Sequence, residues 1–209
     1  SVEIIVVNEG STDSTGRYLE ELGDKISVIN MDNSGGPSRP RNVGIEHSGG
    51  EFISFFDSDD LMEPDKLSKA MEVFTAHPEV DFVFTNFRSI DLDNKVLNRN
   101  YLSEYKVFRH NLEPSAVDDT YLLTGEETFR NLLRANFIGT SSVVCRRSIF
   151  DEVGLFDEEM KNADDIDMWM RIARAGYRFA FIDKALHSYR ITPGGISFRG
   201  AERFSAKIK

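Results

Sequence analysis

Short apolar runs alternate with amphipathic stretches through the first half of the chain. Runs of strand length, β-branched or aromatic, occupy residues 2–7, 26–29 and 80–85. Turn residues and helical spacing predict helices over residues 14–22, 39–47 and 64–77. Alternation of this kind is typical of an α/β fold whose sheet is mostly parallel.

The second half of the chain is less regular. Residues 86–119 are polar, and we interpret them as an excursion with a hairpin and a loop, whose length suggests contact with a substrate. A strong helix begins near Asp164, because its apolar residues share one face; they are Met168, Trp169, Ile172, Ala173 and Gly176. Further elements are predicted over residues 125–135, 137–144, 147–153 and 177–182, followed by an irregular tail from Tyr189.

The stretch from Gly49 to Asp60 opens with a glycine pair, continues as a short aromatic run and ends in three carboxylates within four positions. The run has the character of a strand buried on both faces, and parallel sheets bind ligands beyond the carboxyl ends of their strands. Asp57, Asp59 and Asp60 would repel one another there. Because no Lys or Arg lies close by in sequence, a divalent cation is the simplest compensation. A solvated acidic turn before the next helix explains the same residues, and the spacing alone leaves both interpretations open.

Two further loops combine turn residues with groups that bind ligands. Residues 8–13 follow the first strand and end in Asp13, and either Ser11 or Asp13 can also cap the next helix. Residues 35–42 are rich in glycine and arginine, and such loops can hold an anion. Each loop taken alone is weak evidence, because turn and capping chemistry uses the same residue types.

The start of the late helix carries a third candidate group. Asp165 shares a helix face with Met168 and Trp169, whereas Asp167 can pair outward with Arg171. The helix dipole favours the charged form of Asp165, while apolar surroundings and the neighbouring acid favour the neutral form. Capping of the helix by acidic residues is the alternative here.

Composition narrows the class of protein. The 25 basic and 35 acidic residues give a formal net charge of −10, which argues against general binding to nucleic acid or to anionic membranes. We interpret the only cysteine, Cys145, as a buried core residue, and one cysteine fits a reducing compartment. No apolar run is long enough to cross a bilayer. We expect a cytoplasmic protein, with peripheral association at the inner face of the membrane left open.

Together these motifs resemble the family 2 inverting glycosyltransferases of GT-A fold, over nearly the whole chain. Residues 6–13 are similar to the family's Val-Val-Asp/Asn-Asp-Gly-Ser-Thr-Asp, residues 36–45 to its Ala-Arg-Asn-x-Gly segment, and residues 57–60 to its Asp-x-Asp motif. Three later segments match in order and spacing: residues 136–139, 154–157 and 164–171.

The resemblance implies a GT-A, Rossmann-like α/β/α domain spanning residues 1–209. Residues 1–86 would form its nucleotide-sugar-binding half, and residues 87–209 the half that binds the acceptor and carries the catalytic base. The donor would be a nucleotide-diphosphate sugar, with a UDP-sugar favoured, and the acceptor a carbohydrate or glycolipid. The activity expected is one step of bacterial-type surface polysaccharide biosynthesis.

The resemblance also assigns the donor-binding residues. Glu9 would contact the base, Arg41 would lie in the nucleotide pocket, and Asp57 would face the ribose or the sugar. Asp13 and Ser58 belong to the same motifs and are counted with this group.

Two residues are assigned to the chemistry. Asp59 would reach Mn²⁺ or Mg²⁺ on the diphosphate, where the metal stabilises the departing nucleotide. Asp165 would be the general base that deprotonates the acceptor hydroxyl. One inverting displacement then needs no second catalytic carboxylic acid.

Three departures from the family pattern affect these expectations. Glu9 stands where the family usually has Asp, which puts the base preference in question. The family normally begins with another strand and helix, so the chain looks truncated at its N-terminus. Thr192 occupies the place of a histidine that often follows a Tyr-Arg pair, so its contact with metal or phosphate is open.

Three other classes explain part of the pattern. A catalytically inactive nucleotide- or glycan-binding domain is suggested by Glu9 and by the missing start, but the presence of Asp59 and Asp165 argues against it. A magnesium-dependent phosphohydrolase of the haloacid dehalogenase type also has an Asp-x-Asp pair, but it requires Thr or Val where Leu61 stands. A nucleotidyltransferase of related fold is the third alternative.

Overall fold

The computed structural model describes residues 1–110, 112–160 and 162–192. Its helices are α1 (Thr15–Leu22), α2 (Ser38–His47), α3 (Lys66–Ala76), α4 (Lys106–Arg109), α5 (Gly125–Leu132), α6 (Ile149–Val153) and α7 (Asp164–Arg174). Its strands are β1 (Ile5–Glu9), β2 (Ser27–Met31), β3 (Phe52–Ser54), β4 (Leu61–Met62), β5 (Phe82–Ile90), β6 (Val96–Asn98), β7 (Glu113–Pro114), β8 (Thr120–Leu123), β9 (Val144–Arg146) and β10 (Phe179–Arg190).

The strands form two sheets. β1 and β2 pair in parallel with each other, and the larger sheet has the order β3-β9-β5-β10-β8-β7. β4 pairs with β10 and β6 with β5 at the margins of this sheet. β10 therefore lies in the middle of the sheet, although it comes last among the strands described.

The expectation of a mostly parallel sheet is wrong for the part of the chain that the structure describes. β1 with β2 and β5 with β10 are the parallel pairs, and the other pairings of the larger sheet are antiparallel. The cause is β9, which inserts between β3 and β5 and runs opposite to both. Strand–helix alternation shows which elements occur, but it does not show which strands become neighbours.

The aromatic run before Asp57 is also less buried than expected. Only Phe52–Ser54 are in a strand, all three are half-buried, and their partner β9 is antiparallel. Phe55, just beyond the strand, is the buried residue, and it packs edge-on against Phe150 and Phe156. The run therefore attaches the acidic turn to the core through one ring rather than through a long buried strand.

The larger sheet lies between two helical layers. Successive strand residues point to opposite faces, and the rings on one face join the larger apolar cluster; they are Phe82, Phe84, Phe179 and Phe181. The residues on the other face join a second cluster; they are Val83, Ala180 and Ile182. Residues of α7 belong to the first cluster and residues of α3 to the second. The arrangement confirms the three-layer α/β/α architecture.

The late helix forms as its pattern predicts. Met168, Trp169, Ile172 and Ala173 of α7 are buried, whereas Gly176 is exposed, has a φ of 91° and lies just past the helix end. Gly125, at the start of α5, explains how closely α5 approaches the end of α7, since an added Cβ would lie 2.4 Å from the carbonyl oxygen of Ala173.

The excursion over residues 86–119 is more structured than its polarity suggests. β5 continues to Ile90 and forms a hairpin with β6, as expected, and α4 and β7 follow. The irregular tail predicted from Tyr189 is wrong at its start, because Tyr189 and Arg190 belong to β10. Residues 193–209 of that prediction lie outside the described residues.

Candidate active site

The Asp57–Asp60 turn is the centre of the candidate site. The Asp60 N–H donates to the Asp57 carbonyl oxygen at 3.1 Å, which closes the turn. The Asp57 N–H donates to Ser141 Oγ at 3.0 Å, so the turn is fastened to the segment before β9. Ser58 and Asp59 lie exposed at the tip, whereas Asp60 is buried.

The three carboxylates of this turn have different surroundings. Asp57 pairs with Arg41, whose Nη2 lies 3.1 Å from Asp57 Oδ1. Asp60 Oδ1 accepts the backbone N–H of Arg190 at 2.9 Å. The Arg190 side chain also contacts the turn, because its Nε donates to the Asp59 carbonyl oxygen at 2.7 Å. Its Nη1 donates to the Asp91 carbonyl oxygen, just after β5, at 2.8 Å. Two arginines that are distant in sequence therefore lie beside the turn, so a shared metal ion is not the only possible compensation for its negative charge.

Asp59 is the most open carboxylate of the turn. It is exposed, and among the described residues no side chain donates a hydrogen bond to its carboxylate. The same residues contain no group of three or more His, Cys, Asp or Glu side chains able to hold a metal ion. One free carboxylate fits Mg²⁺ or Mn²⁺ bound jointly by a protein oxygen, substrate phosphates and water, and it does not fit a closed protein cage.

A buried polar group lies beneath the turn. The Lys66 side chain is buried on the apolar face of α3, and its Nζ donates to Ser54 Oγ at 3.0 Å. Burial lowers the pKa of Lys66 to about 7, and it raises the pKa of Asp60 to about 6 against hydrogen bonds from Ser141 and Arg190. His187 of β10 is buried too, and desolvation lowers its pKa to about 3. Charged forms are disfavoured throughout this layer.

The predicted base, Asp165, lies in the first turn of α7. One of its oxygens accepts the N–H of Ile166 at 2.7 Å, and Asn136 Nδ2 lies 3.3 and 3.4 Å from the two oxygens. Burial raises the pKa of Asp165, the charge of Asp164 raises it further, and Arg41 lowers it. A carboxylate with a raised pKa is suited to accept a proton near neutral pH.

Arg41 connects the turn to this helix. Its Nη1 donates to Asp164 Oδ2 at 2.6 Å, while its Nη2 contacts Asp57. Its guanidinium carbon lies 5.7 Å from the centre of the Phe156 ring. The structure thus joins Arg41, Asp57 and the Asp164–Asp165 pair, although the pair is more than 100 residues away in sequence from the other two.

The first motif lies at the end of β1. Glu9 accepts hydrogen bonds from the N–H of Ser34, at 2.5 Å, and from its hydroxyl group. Asp13 is exposed and accepts the N–H of Thr15 at 2.9 Å at the start of α1. Hydrogen bonds from the Thr15 side chain and backbone lower the pKa of Asp13. Asp13 therefore satisfies the first N–H of α1 from the position before the N-cap, Ser14, which has no side-chain cap bond of its own. The donor contacts predicted for Glu9, Asp13 and Ser58 stay predictions.

The sequence did not predict the ion pair of Asp164 with Arg41, the burial of Lys66 or the contacts of Arg190 with the turn. The burial of Lys66 could have been predicted, because Lys66 precedes Ala70, Val73 and Phe74 by 4, 7 and 8 positions and so belongs to the buried face of α3. No local pattern predicts the contacts of Asp164 and Arg190, because their partners are far away in sequence.

Comparison with known proteins identifies the family. The family model described as Glycosyl transferase family 2 matches residues 1–154. The chain belongs to this family. The resemblance drawn from the motifs is confirmed, and the phosphohydrolase and nucleotidyltransferase alternatives are set aside.

Relatives of this chain include two named for teichuronic acid and succinoglycan biosynthesis. The chain is 25% identical over 198 residues to the putative teichuronic acid biosynthesis glycosyltransferase TuaG of Bacillus subtilis, covering 93% of this chain and 69% of TuaG. It is 26% identical over 198 residues to the succinoglycan biosynthesis protein ExoO of Rhizobium meliloti, covering 94% of this chain and 54% of ExoO.

Solved structures confirm the GT-A fold. Residues 1–349 of S. aureus TarS superpose with a TM-score of 0.67 at 25% identity, covering 90% of this chain and 51% of that one. The complex of TarS with UDP gives a TM-score of 0.66 at 24% identity, covering 91% and 52%. The chain thus spans about half the length of the TarS chains that it matches. Within the described residues, no helix has the length and apolarity needed to cross a membrane.

Proposed function

We propose that this chain transfers a sugar from a nucleotide-diphosphate sugar to an acceptor hydroxyl, with inversion at the anomeric carbon. The observation that carries the proposal is the Arg41 guanidinium, which contacts both the Asp57–Asp60 turn and the helix end that bears Asp165. A donor-binding carboxylate and a proton-accepting carboxylate are therefore parts of one site. A second, open carboxylate, Asp59, lies beside the first.

A UDP-sugar is the proposed donor. TarS, which shares the fold, has been solved with UDP and with UDP-GlcNAc. TuaG and ExoO are named for teichuronic acid and succinoglycan biosynthesis. These names support a carbohydrate or glycolipid acceptor in the synthesis of a bacterial surface polysaccharide. The proposed place of action is the cytoplasm, which suits the buried, unpaired Cys145.

The residues of the site have distinct roles in this proposal. Asp57 faces the ribose or the sugar, with Ser58 beside it, and Glu9 reads the base with the oxygen that does not hold Ser34. Asp59 is the residue that would hold Mn²⁺ or Mg²⁺. When bound to the diphosphate, such an ion stabilises the negative charge of the leaving nucleotide.

Asp165 performs the proton transfer. Its carboxylate takes the proton of the acceptor hydroxyl while the hydroxyl oxygen attacks the anomeric carbon and the bond to the diphosphate oxygen breaks. Asn136 and the Ile166 N–H orient the carboxylate. The attack comes from the face opposite the nucleotide, so the configuration inverts.

Calorimetry tests the donor assignment. The full chain is titrated with UDP, GDP and dTDP, each with and without Mn²⁺. We expect UDP to bind, and to bind more tightly with the metal. Asp59→Asn is expected to lose the metal-dependent part, while Asp24→Asn, at an exposed carboxylate beyond α1, should behave as wild type. If no nucleotide binds in the presence of metal, the donor assignment is wrong.

A second measurement separates binding from chemistry. Release of UDP from UDP-GlcNAc, with water as the acceptor, is followed for wild type and for Asp165→Asn. The variant should keep metal-dependent UDP binding and lose roughly 100-fold or more in turnover, the usual contribution of a general base. Unchanged turnover would assign the base elsewhere. Nucleotide binding by a wild type that never cleaves a donor would favour an inactive binding domain.

A further inference from the structure

We propose that Arg41 is a positioning residue that holds the base-carrying end of α7 against the donor-binding turn, with Asp164 as its anchor. The inference rests on the proposed function and assigns two roles that the family resemblance does not give. There Arg41 was expected to serve the nucleotide. In the structure, both terminal nitrogens of its guanidinium are occupied by carboxylates of the protein itself.

Burial shows that this bridge is part of the framework. The Arg41 side chain is 14% exposed and that of Asp164 is 5% exposed, whereas that of Asp57 is 44% exposed. A buried carboxylate requires a well-placed cation, because water cannot solvate it. The Arg41–Asp164 pair is thus the fixed end of the bridge, and Asp57 is the end open to a ligand. A guanidinium reaches both partners at once because its donors form a rigid fork, which the ammonium of a lysine cannot reproduce.

The neighbour of Arg41 on α2 reinforces the same attachment. Asn42 Nδ2 donates to the Phe156 carbonyl oxygen at 2.9 Å, and the Phe156 N–H donates to Asn42 Oδ1 at 2.8 Å. These reciprocal bonds fix the segment before α7 to α2. The Arg41 bridge then sets where α7 begins, and Asp165 is the next residue along.

The bridge also has an electrostatic signature. The charged groups that act on Asp165 among the described residues are Asp164 on its own helix and Arg41 on α2, and the polar Asn136 donates to it. Removing the negative charge of Asp164 should favour ionised Asp165, while removing the positive charge of Arg41 should disfavour it. The two variants are therefore expected to move the titration of Asp165 in opposite directions, which a purely structural defect would not do.

The test compares Asp164→Asn, Arg41→Gln, Arg41→Lys and the double variant Arg41→Gln/Asp164→Asn. Cleavage of UDP-GlcNAc with Mn²⁺ is measured against pH, and the pKa of the Asp165 carboxyl is followed by ¹³C NMR in the protein without donor. Folding is checked by circular dichroism. Arg17→Gln is the matched control, since Arg17 is exposed on α1 and pairs only with Glu21 among the described contacts.

The expected results are specific. Asp164→Asn should move the acid limb of the profile and the Asp165 pKa down by about half a unit or more, and Arg41→Gln should move them up by a similar amount. Arg41→Lys keeps the charge, so the limb should stay in place while kcat falls about tenfold from lost orientation. In the double variant the limb should return near its wild-type position and kcat should stay low.

Three outcomes would overturn the inference. The pKa of Asp165 could stay unchanged in Asp164→Asn and Arg41→Gln, it could shift in the same direction in both, or the double variant could have wild-type kcat. The last would mean that Arg41 only neutralises Asp164. If the wild type neither binds UDP nor cleaves the donor, the proposed function fails, and the NMR titration still decides whether Arg41 and Asp164 control Asp165.

Discussion

The residue two positions before Asp165 has an unusual backbone conformation. Ala163, the N-cap of α7, has a φ of 63° and a ψ of 17°, in the left-handed region. For a residue with a Cβ this conformation costs roughly 1–2 kcal/mol. The chain turns at Ala163. The next residue, Asp164, forms the ion pair with Arg41, and Asp165 follows it. The strain thus lies at the point where the site is assembled.

Ala163→Gly should relieve this strain and raise the free energy of unfolding by about 0.5–1 kcal/mol, because glycine adopts a positive φ without steric cost. Ala175→Gly is the control, since Ala175 is the exposed C-cap of the same helix with a φ of −70°. There glycine should lower the free energy of unfolding by about the same amount. Urea unfolding of both variants checks this, and equal effects would show that the backbone at Ala163 is not strained.

The residues of the site show what one sequence can and cannot predict. The types of group were predictable, because carboxylates and arginines at strand ends and helix starts are local patterns. The partners were not. Asp57 looked short of a cation and Asp60 short of a donor, because the Arg41 side chain and the Arg190 backbone N–H reach them only through tertiary structure. Glu9 was expected to contact the base, yet one of its carboxylate oxygens accepts a hydrogen bond from Ser34.

At the scale of elements, helices were easier to predict than strands. The period of 3.6 residues lies within one segment, so α2, α3 and α7 were predicted with starts within about two residues. Strand direction depends on the neighbour, and β9 comes from a part of the chain distant from both β3 and β5. β10 was predicted as a short strand because its far half, which contains Lys184 and His187, breaks the apolar pattern.

α3 carries its own pH dependence through Lys66. In the unfolded chain Lys66 keeps its proton up to the ordinary lysine pKa of 10.5, whereas in the folded protein it loses the proton above a pKa of about 7. Between these values the unfolded state binds more protons, so the free energy of unfolding rises with pH. The destabilisation caused by burying this cation is therefore fully present below pH 7 and disappears towards pH 10.5.

Lys66→Met should abolish this part of the rise. Between pH 7 and pH 9.5 the wild type should gain about 2–3 kcal/mol more than the variant, since one pKa unit corresponds to about 1.4 kcal/mol. Lys69→Met, on the exposed side of the same helix and paired with Glu72, should keep the wild-type dependence. Urea unfolding at the two pH values measures the differences. If all three proteins have the same slope, Lys66 titrates normally.

At the scale of the whole molecule, stability is unevenly distributed. Neither apolar cluster contains a described residue before Ile45. The segment from β1 to β2 has Leu19 as its buried apolar residue, and Val2, Ile4 and Tyr18 are largely exposed. Its sheet is separate from the larger one. Since local stability follows the number of buried apolar contacts, this segment should open first.

Hydrogen exchange followed by mass spectrometry tests this distribution in the full chain. Peptides covering residues 5–31 should exchange well before those covering β5 and β10, which pair with each other deep in the sheet. Adding UDP with Mn²⁺ should slow exchange around Glu9 if that end of β1 serves the donor. Equal protection of both regions would contradict the uneven distribution.

The central place of β10 has a consequence for how the protein is made. β5 must wait for its parallel partner while some 90 further residues are added, which takes roughly 5–20 seconds at ordinary rates of protein synthesis. During that time one long edge of β5, an aromatic strand, lacks its final neighbour on the ribosome. The order of translation therefore delays the pairing of β5 with β10 until β10 emerges, and a chaperone that shields this edge would be expected to raise the yield of folded protein.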